Sequence, residues 1–457
     1  MARNRVIYQS EAVYVTQSGY NSTVGLTGIG GDRIQSGPFK GKGFIQNNSI
    51  ESLNRIQSAN YSFNISRQDV NQFGELAAID RIITETPTVS FDTNYILANL
   101  ANEQKMGFEV APSGTSFTDE PSKVVSCISG LIDATTNAFQ KDYFILTTKE
   151  GADAVDNRDT GKYESIIGIG NGFITSYSSE ASVGGLPSAS ISVEGMNMNF
   201  VNLPFVPNGQ GTEALNKEKN NGYGFQFSGT QANFSDRGLV GISGENPAIS
   251  PTDGSKVAGP ITLPIADESA SGNGAQISAL RPGDVTFTLR KKTSDALTDA
   301  TVASSTSNDG LQGASISDAH IQSYTLSFDT SRTPIQKLGT RFAFARPVDF
   351  PITTTLSVDA ILSNLTTGSI SDIINCDDEY DAIIKIADPV CNPTEFGAGV
   401  KPITMAYVVR GLKIDSESFS SSIGDNKSVS LEFSAQLGGP EQKGIGVFMS
   451  GVEGTKY

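Results

Sequence analysis

Tryptophan is absent from this chain of 457 residues, and histidine occurs once, as His320. Glycan-binding proteins usually stack sugars on aromatic rings, so the lack of Trp counts against a carbohydrate reader. A single histidine supplies no imidazole network for acid–base work, and His320, just before a β-type run, reads as a strand-end residue. The three cysteines, Cys127, Cys376 and Cys391, are an odd number without framework spacing, which predicts reduced, buried thiols and synthesis in a cytoplasm. No apolar run reaches the 18 residues of a membrane helix. Met1-Ala2-Arg3-Asn4-Arg5 carries charge but is followed by no apolar core, so no secretory signal is expected. Positive charge is scarce. With 33 Lys and Arg against 49 Asp and Glu, the net charge of −16 disfavours non-specific attraction to nucleic acid or anionic lipid.

Catalytic motifs are missing too. There is no nucleophile elbow, phosphate loop with lysine, or HExxH helix. Gly25–Gly31 and Gly168–Gly172 are glycine-rich without the spacing of a phosphate loop, and read as flexible loops. Asp377-Asp378-Glu379-Tyr380-Asp381 lacks the glycine and alternating ligands of a calcium loop and reads as a solvated charge run. No facing carboxylate pair for glycoside hydrolysis is singled out. No cofactor, metal site or catalytic residue is expected.

What the chain does contain is itself, twice. Ile56-Gln57-Ser58-Ala59-Asn60-Tyr61-Ser62-Phe63-Asn64-Ile65-Ser66-Arg67 returns as Ile321-Gln322-Ser323-Tyr324-Thr325-Leu326-Ser327-Phe328-Asp329-Thr330-Ser331-Arg332, with seven of twelve positions identical. Typical residue frequencies give about one by chance. The spacing of 265 holds to Ile96-Leu97 against Ile361-Leu362. It falls to near 240 where Asp142-Tyr143-Phe144 faces Asp381-Ala382-Ile383 and Ser188–Val193 faces Ser428–Phe433. An insertion of about 25 residues in the first copy, between Ala101 and Lys141, accounts for the change.

The apolar fraction, 37%, is low because Gly, Ser, Thr and Asn fill much of the chain, which favours strands and turns. Tyr61, Phe63 and Ile65 alternate with Ser62, Asn64 and Ser66, and Leu326 and Phe328 with Ser327 and Asp329, the period of a strand with one buried face. That pattern places Phe63 and Phe328, and likewise Ile191 and Leu431, at equivalent core positions. Opening strands are expected at residues 12–16 and 285–289, paired strands around Pro87 and Pro351, and short helices at 95–102 and 359–365. A further helix is expected at 122–135, with Val124, Ile128 and Leu131 on one face. Strands at 143–148 and 382–386 follow, and each copy closes on a hairpin: 172–178 with 189–194, and 412–417 with 429–433. The mainly β chain thus divides into a first unit, residues 1–202, with its helical insertion at about 102–140; a Gly/Pro/Asn-rich stretch, 203–282; and a second unit, 283–457. The middle stretch reads as a connector ordered against a neighbour or as a small inserted β region, with strand candidates at 223–227 and 261–265.

The segment Ala59–Gly74, running on through Ile79-Asp80-Arg81 and Pro87-Thr88-Val89-Ser90-Phe91, resembles the tail tube (major tail) proteins of tailed bacteriophages. The resemblance covers about two-thirds of the chain when the second copy is included. It implies tandem β-sandwich or barrel domains, each with a flanking helix, whose strands join into a barrel around a bore, with rings stacked into a tube that conducts DNA during ejection. Most family members carry one such domain and form hexamers; the duplication here implies trimers with pseudo-sixfold symmetry. The implied partners are the chain itself, tape measure, tail terminator, baseplate or distal tail proteins and possible sheath, with DNA passing unbound and no membrane contact. The implied location is the virion, after synthesis in the host cytoplasm. Strand alternation nominates Asp92, Glu194, Asp329, Asp415, Glu417 and Glu432 for an acidic lining of the bore, with a solvated outer face as the competing placement. The other readings open at this point are a phage neck or capsid decoration protein, a carbohydrate-binding β-protein and a surface adhesin.

Overall fold

The computed structural model describes residues 11–17, 51–83, 88–112, 125–132, 141–148, 163–195, 197–202, 225–228, 231–234, 261–263, 285–291, 319–335, 346–362, 379–387, 403–420, 428–439, 442 and 444–451. They are mainly β. The first strands are β1 (Glu11–Gln17), β2 (Glu51–Leu53), β3 (Ile56–Asn64), β4 (Arg67–Val70), β5 (Asp80–Ile83) and β6 (Thr88–Ile96). Then come helix α1 (Ala101–Met106), β7 (Val110–Pro112), helix α2 (Ser129–Ile132), β8 (Lys141–Thr148), β9 (Tyr163–Ser182), β10 (Ser188–Gly195) and β11 (Asn197–Asn202). Three short strands follow: β12 (Phe225–Ser228), β13 (Gln231–Phe234) and β14 (Ile261–Leu263). The last are β15 (Val285–Lys291), β16 (Ala319–Asp329), β17 (Thr353–Leu362), β18 (Tyr380–Ala387), β19 (Ile403–Ser420), β20 (Ser428–Gln436) and β21 (Gly446–Gly451).

Sixteen strands belong to one hydrogen-bonded system. Its spine is an eight-strand sheet in the order β19-β20-β17-β16-β9-β10-β6-β3. Two flanking sheets, β1-β8-β9-β11 and β15-β18-β19-β21, share β9 and β19 with the spine. These two strands are long, 20 and 18 residues, because the first half of each pairs in a flanking sheet and the second half in the spine. At the crossing in β9 stands Gly172, where a Cβ would lie 2.8 Å from Val193 Cγ1 and 3.0 Å from the Lys141 carbonyl oxygen. The ladder to β8 shifts register at this point, between Lys141 and Tyr143, as strands that change sheets do at a bulge or bend.

The pairing repeats along the chain. Phe63 opposite Val89 recurs as Phe328 opposite Thr354, and Phe91 opposite Val193 as Leu356 opposite Phe433. Tyr143 opposite Ile169 recurs as Ala382 opposite Val409. Even the bulges recur. The shift between Ile56 and Ser58 reappears between Ile321 and Ser323, and the extra residue Thr175 in β9 corresponds to Asp415 in β19. The bridge Arg332–Val348 matches Arg67–Ile83 of the β4–β5 hairpin. The opening strands correspond one residue away from the sequence alignment: Val13 opposite Ile145 matches Phe287 opposite Ile384. The register follows the buried face, held by Val13, Val15 and Leu289.

The core lies between the spine and its flanking sheets. Alternate residues of β6 (Val89, Phe91, Thr93, Tyr95) and β20 (Val429, Leu431, Phe433, Ala435) are buried. The Phe91 and Tyr143 rings sit 5.3 Å apart across the layers, and those of Tyr380 and Phe433 6.3 Å apart. Each such aromatic contributes roughly 1.5–3 kcal/mol by leaving water.

Several expectations are corrected. Tyr95 and Ile96 end β6, so the first helix begins later, at Ala101, between the left-handed residues Leu100 (φ 57°) and Gly107 (φ 107°). Asp359–Leu362 belong to β17, paired with β16 on one side and β20 on the other, and residues 363–365 lie outside the described set. In both places ladder pairing overrides local helix propensity. The helix expected at 122–135 is reduced to α2 among the described residues. Pro87 lies outside the described residues, and the strands flanking it do not pair with each other: β5 joins β4, while β6 joins β3 and β10. Before Pro351, residues 346–350 form only the bridge at Val348, and β17 follows. In the 203–282 stretch, β12, β13 and β14 make a separate three-strand antiparallel sheet.

Candidate functional site

The two repeats meet where β16 pairs antiparallel with the second half of β9, from Ser323 opposite Ser182 to Asp329 opposite Ser176. This internal joint is tightly made. Phe328 packs on Tyr177 at 5.3 Å, and Phe108, from the insertion, packs on Tyr177 at 5.2 Å and Phe328 at 6.2 Å. The Thr330 N–H donates to the Thr175 carbonyl (2.7 Å) and its hydroxyl to the Ile174 carbonyl (2.6 Å). Arg346 pairs with Glu194 at 2.7 Å, and Arg332 and Arg346 lie 5.0 and 5.6 Å from the Phe173 ring. Arg332 also donates to the carbonyl of Leu131 in α2. Burial and the neighbouring Arg346 lower its pKa to about 10, so it is charged at neutral pH.

The insertion ties the repeats together a second time. Its β7 runs parallel to β21 at the edge of the second flanking sheet, and the Cys127 N–H donates to Val447 O at 2.8 Å. Under it lies a buried polar cluster. The Tyr95 hydroxyl donates to Glu103 Oε1 at 2.7 Å, Tyr177 to the same oxygen at 3.2 Å, and Tyr177 and Tyr407 share a hydroxyl contact of 2.7 Å. Burial lifts the Glu103 carboxyl to about 7, against the partial relief of its hydrogen bonds. Burial and the nearby carboxylate push all three tyrosines well above their usual range. A buried carboxyl that accepts two hydroxyls of the first repeat and is linked through Tyr177 to Tyr407 of the second acts as a fastening. Burial likewise raises the Cys127 thiol, which makes it inert.

The spine has two terminal edges. Among the described residues β3 pairs with β6 only, and residues 413–420 of β19 with β20 only. Their apolar residues differ sharply from their repeat partners. Phe63 is 55% exposed where Phe328 is 2%, which corrects the expectation of a buried Phe63. The register is equivalent, but β3 has no neighbour on its outer side in the described chain. Ile191 and Leu431, flanked on both sides, are both buried. Phe419 is 55% exposed on the opposite edge. The β4–β5 hairpin stands clear of the body, with Phe73, Leu76, Ile79 and Ile82 exposed and an Arg81–Asp69 ion pair across it.

The spine face turned away from the core is polar. Asp329, Ser176, Ser192, Asp92 and Asn60 form one cross-strand row, and Thr325, Ser357, Glu432 and Ser416 another. Asp92, Asp329 and Glu432 are exposed on it, and Glu194 is half-buried by Arg346. Asp415 is the extra residue of the β19 bulge. That bulge shifts the phase, so Glu417 stands opposite Leu431 on the apolar side, away from Glu432. Two acids missed in the sequence, Glu180 and Asp359, share the polar face; each is two residues along its strand from an outward serine, Ser178 or Ser357. Three carboxylates accept a cross-strand serine hydroxyl: Glu180 from Ser188 (3.1 Å), Asp359 from Ser323 (2.7 Å) and Glu432 from Ser416 (2.8 Å).

Two other sequence readings change. Gly168–Gly172 lie within β9 rather than in a loop, paired with β8 on one side and, at Gly168 and Gly170, with β11 on the other. Asp381 is not solvated; it is buried against Arg410 at 3.2 Å. His320 lies in β16 near its start, and Gly25–Gly31 lie outside the described residues. No metal-binding cluster occurs among the described residues, and no described helix is long and apolar enough to cross a membrane.

No family model and no curated protein matches the chain. One similar solved structure is the tail of an empty GTA particle, obtained by helical refinement with C6 symmetry. It is 15% identical, covers 26% of this chain and 80% of its own, and superposes with a TM-score of 0.18, too low to carry an argument.

Proposed function

We propose that this chain is a structural, non-enzymatic subunit of a phage tail tube. The observation that carries the reading is the spine: a four-strand pattern made twice, joined once inside the chain, with an edge left at each end. Repeating that strand pairing between copies continues the sheet, and closing it into a barrel removes both edges. Three chains, each with two tube domains (about 1–202 and 283–457), make a pseudo-sixfold ring, and rings stack into a tube in the virion. The 203–282 stretch and the exposed β4–β5 hairpin are the parts offered to neighbouring rings and to other tail components. The polar face lines the bore. Its carboxylates, Asp92, Glu180, Asp329, Asp359 and Glu432 among them, repel the phosphate backbone over about 8 Å at physiological salt, so DNA passes without sticking. Electron microscopy and mass measurement of the assembled protein test the reading. Stacked rings of three chains with a central bore are expected; a six-chain ring, or no ring at all, refutes it. Lys at Asp92 and Glu432 should give tubes that retain DNA, and unchanged DNA exclusion refutes the bore assignment.

A further inference from the structure

We propose that β3 of one copy pairs antiparallel with the outer edge of β19 in the next copy, with Phe63 opposite Glu417, Ser62 opposite Ser418 and Tyr61 opposite Phe419. The inference deepens the ring reading and rests on it for closure. Its template is inside the chain. At the internal joint Phe328 faces Tyr177, Ser327 faces Ser178 and Leu326 faces Ser179. Carrying that joint back by 265 residues on one strand and forward by 240 on the other fixes the new register without adjustment.

The two edges fit each other in this register. On the apolar side Tyr61 meets Phe419, an aromatic pair replacing Leu326 on Ser179, so exposed rings cover each other. On the polar side Asn64 meets Ser416, Ser62 meets Ser418 and Asn60 meets Ser420, with no like charges opposed. The bulge fits as well: Asp415 stands where Thr175 does, placing its carbonyl for the Ile65 N–H as Thr175 O accepts from Thr330 N. The contact is head to tail, so each added copy presents the same free edge and the series can close. Pairing β3 with β3 would leave residues 413–420 uncovered.

The joint between copies lacks the arginine clamp of the internal one. Arg67 and Arg81 correspond to Arg332 and Arg346, but Lys413 replaces Phe173 and Ser434 replaces Glu194. It is therefore the weaker joint and the one that opens when an assembly is diluted.

The test is cross-linking of the full chain with Ser62→Cys and Ser418→Cys under assembling conditions. The wild type, each single variant and the offset pair Ser62→Cys with Ser420→Cys serve as comparisons. Ser178→Cys with Ser327→Cys bridges the internal joint at the same geometry and reports whether oxidation or a short bis-maleimide is the suitable linker. Covalent multimers from the in-register pair, with the other between-chain variants at wild-type background, are expected. Rings that form while the in-register pair stays uncross-linked, or while the offset pair or Ser62→Cys alone cross-links, overturn the register and leave the ring standing. A chain that stays monomeric at every concentration overturns both.

Discussion

Phe63 and Phe328 are the same residue at the same register position, one at an edge and one in a joint, so truncating each to alanine separates burial from sequence context. Phe328 is 2% exposed and Phe63 55%. For a phenylalanine of about 200 Å² that difference is roughly 100 Å², or about 2.5 kcal/mol at about 25 cal/mol per Å². In the unassembled chain Phe328→Ala also opens a cavity between Tyr177 and Phe108, and its total cost should reach about 3–5 kcal/mol. Phe63→Ala should cost about 1 kcal/mol or less there, as a surface change does. On assembly the order changes, because Phe63→Ala then removes area buried between copies and should raise the concentration needed to assemble. Urea midpoints of the dilute chain read the first effect, and sedimentation across a concentration series reads the second. Equal midpoint losses for the two variants, or unchanged assembly of Phe63→Ala, would refute the reasoning.

Glu103 gives a pH signature. Its folded carboxyl titrates near 7 against an ordinary value of 4.5, so its protonated form favours the folded state. That stability is fully present below about 4.5 and is lost as pH rises to about 7, on the order of 3 kcal/mol in all. The difference in midpoint between wild type and Glu103→Gln should therefore change across pH 4.5–7 and be flat above about 7.5; no change across that window counts against the buried acid. Arg410→Ala leaves Asp381 buried without its cation and should cost about 3–5 kcal/mol in urea unfolding, whereas replacing both by apolar residues of similar size should cost much less. Gly172→Ala pushes a methyl against Val193 and the Lys141 carbonyl and should lower the midpoint by about 1–3 kcal/mol, checked by the same assay.

The duplication, the β class, the closing hairpins and the equivalence of Ile191 with Leu431 were legible in the linear chain, because period-two alternation and constant spacing are local properties. The phase of Glu417 was not. One bulge residue, Asp415, reverses the face of everything after it, and nothing in Ile414-Asp415-Ser416-Glu417 marks an extra residue; only the ladder to β20 does. The helix expected at 95–102 begins only at Ala101, and the start of the one expected at 359–365 is strand through Leu362, for a related reason: their first residues lie opposite waiting strands. Glu103, Tyr95, Tyr177 and Tyr407 are spread over some 300 positions, so their cluster could not be read from spacing.

By itself the sequence determined that two copies of one strand pattern exist, which of their residues alternate, and where an insertion separates them. Only the tertiary structure decided that β16 sits on β9, that the insertion reaches across to β21, and that Phe63 is left exposed while its twin is buried. The physical reason is that alternation states which side of a strand is apolar, whereas burial depends on which strand lies alongside, and a strand edge carries no mark of its neighbour until the chain has folded.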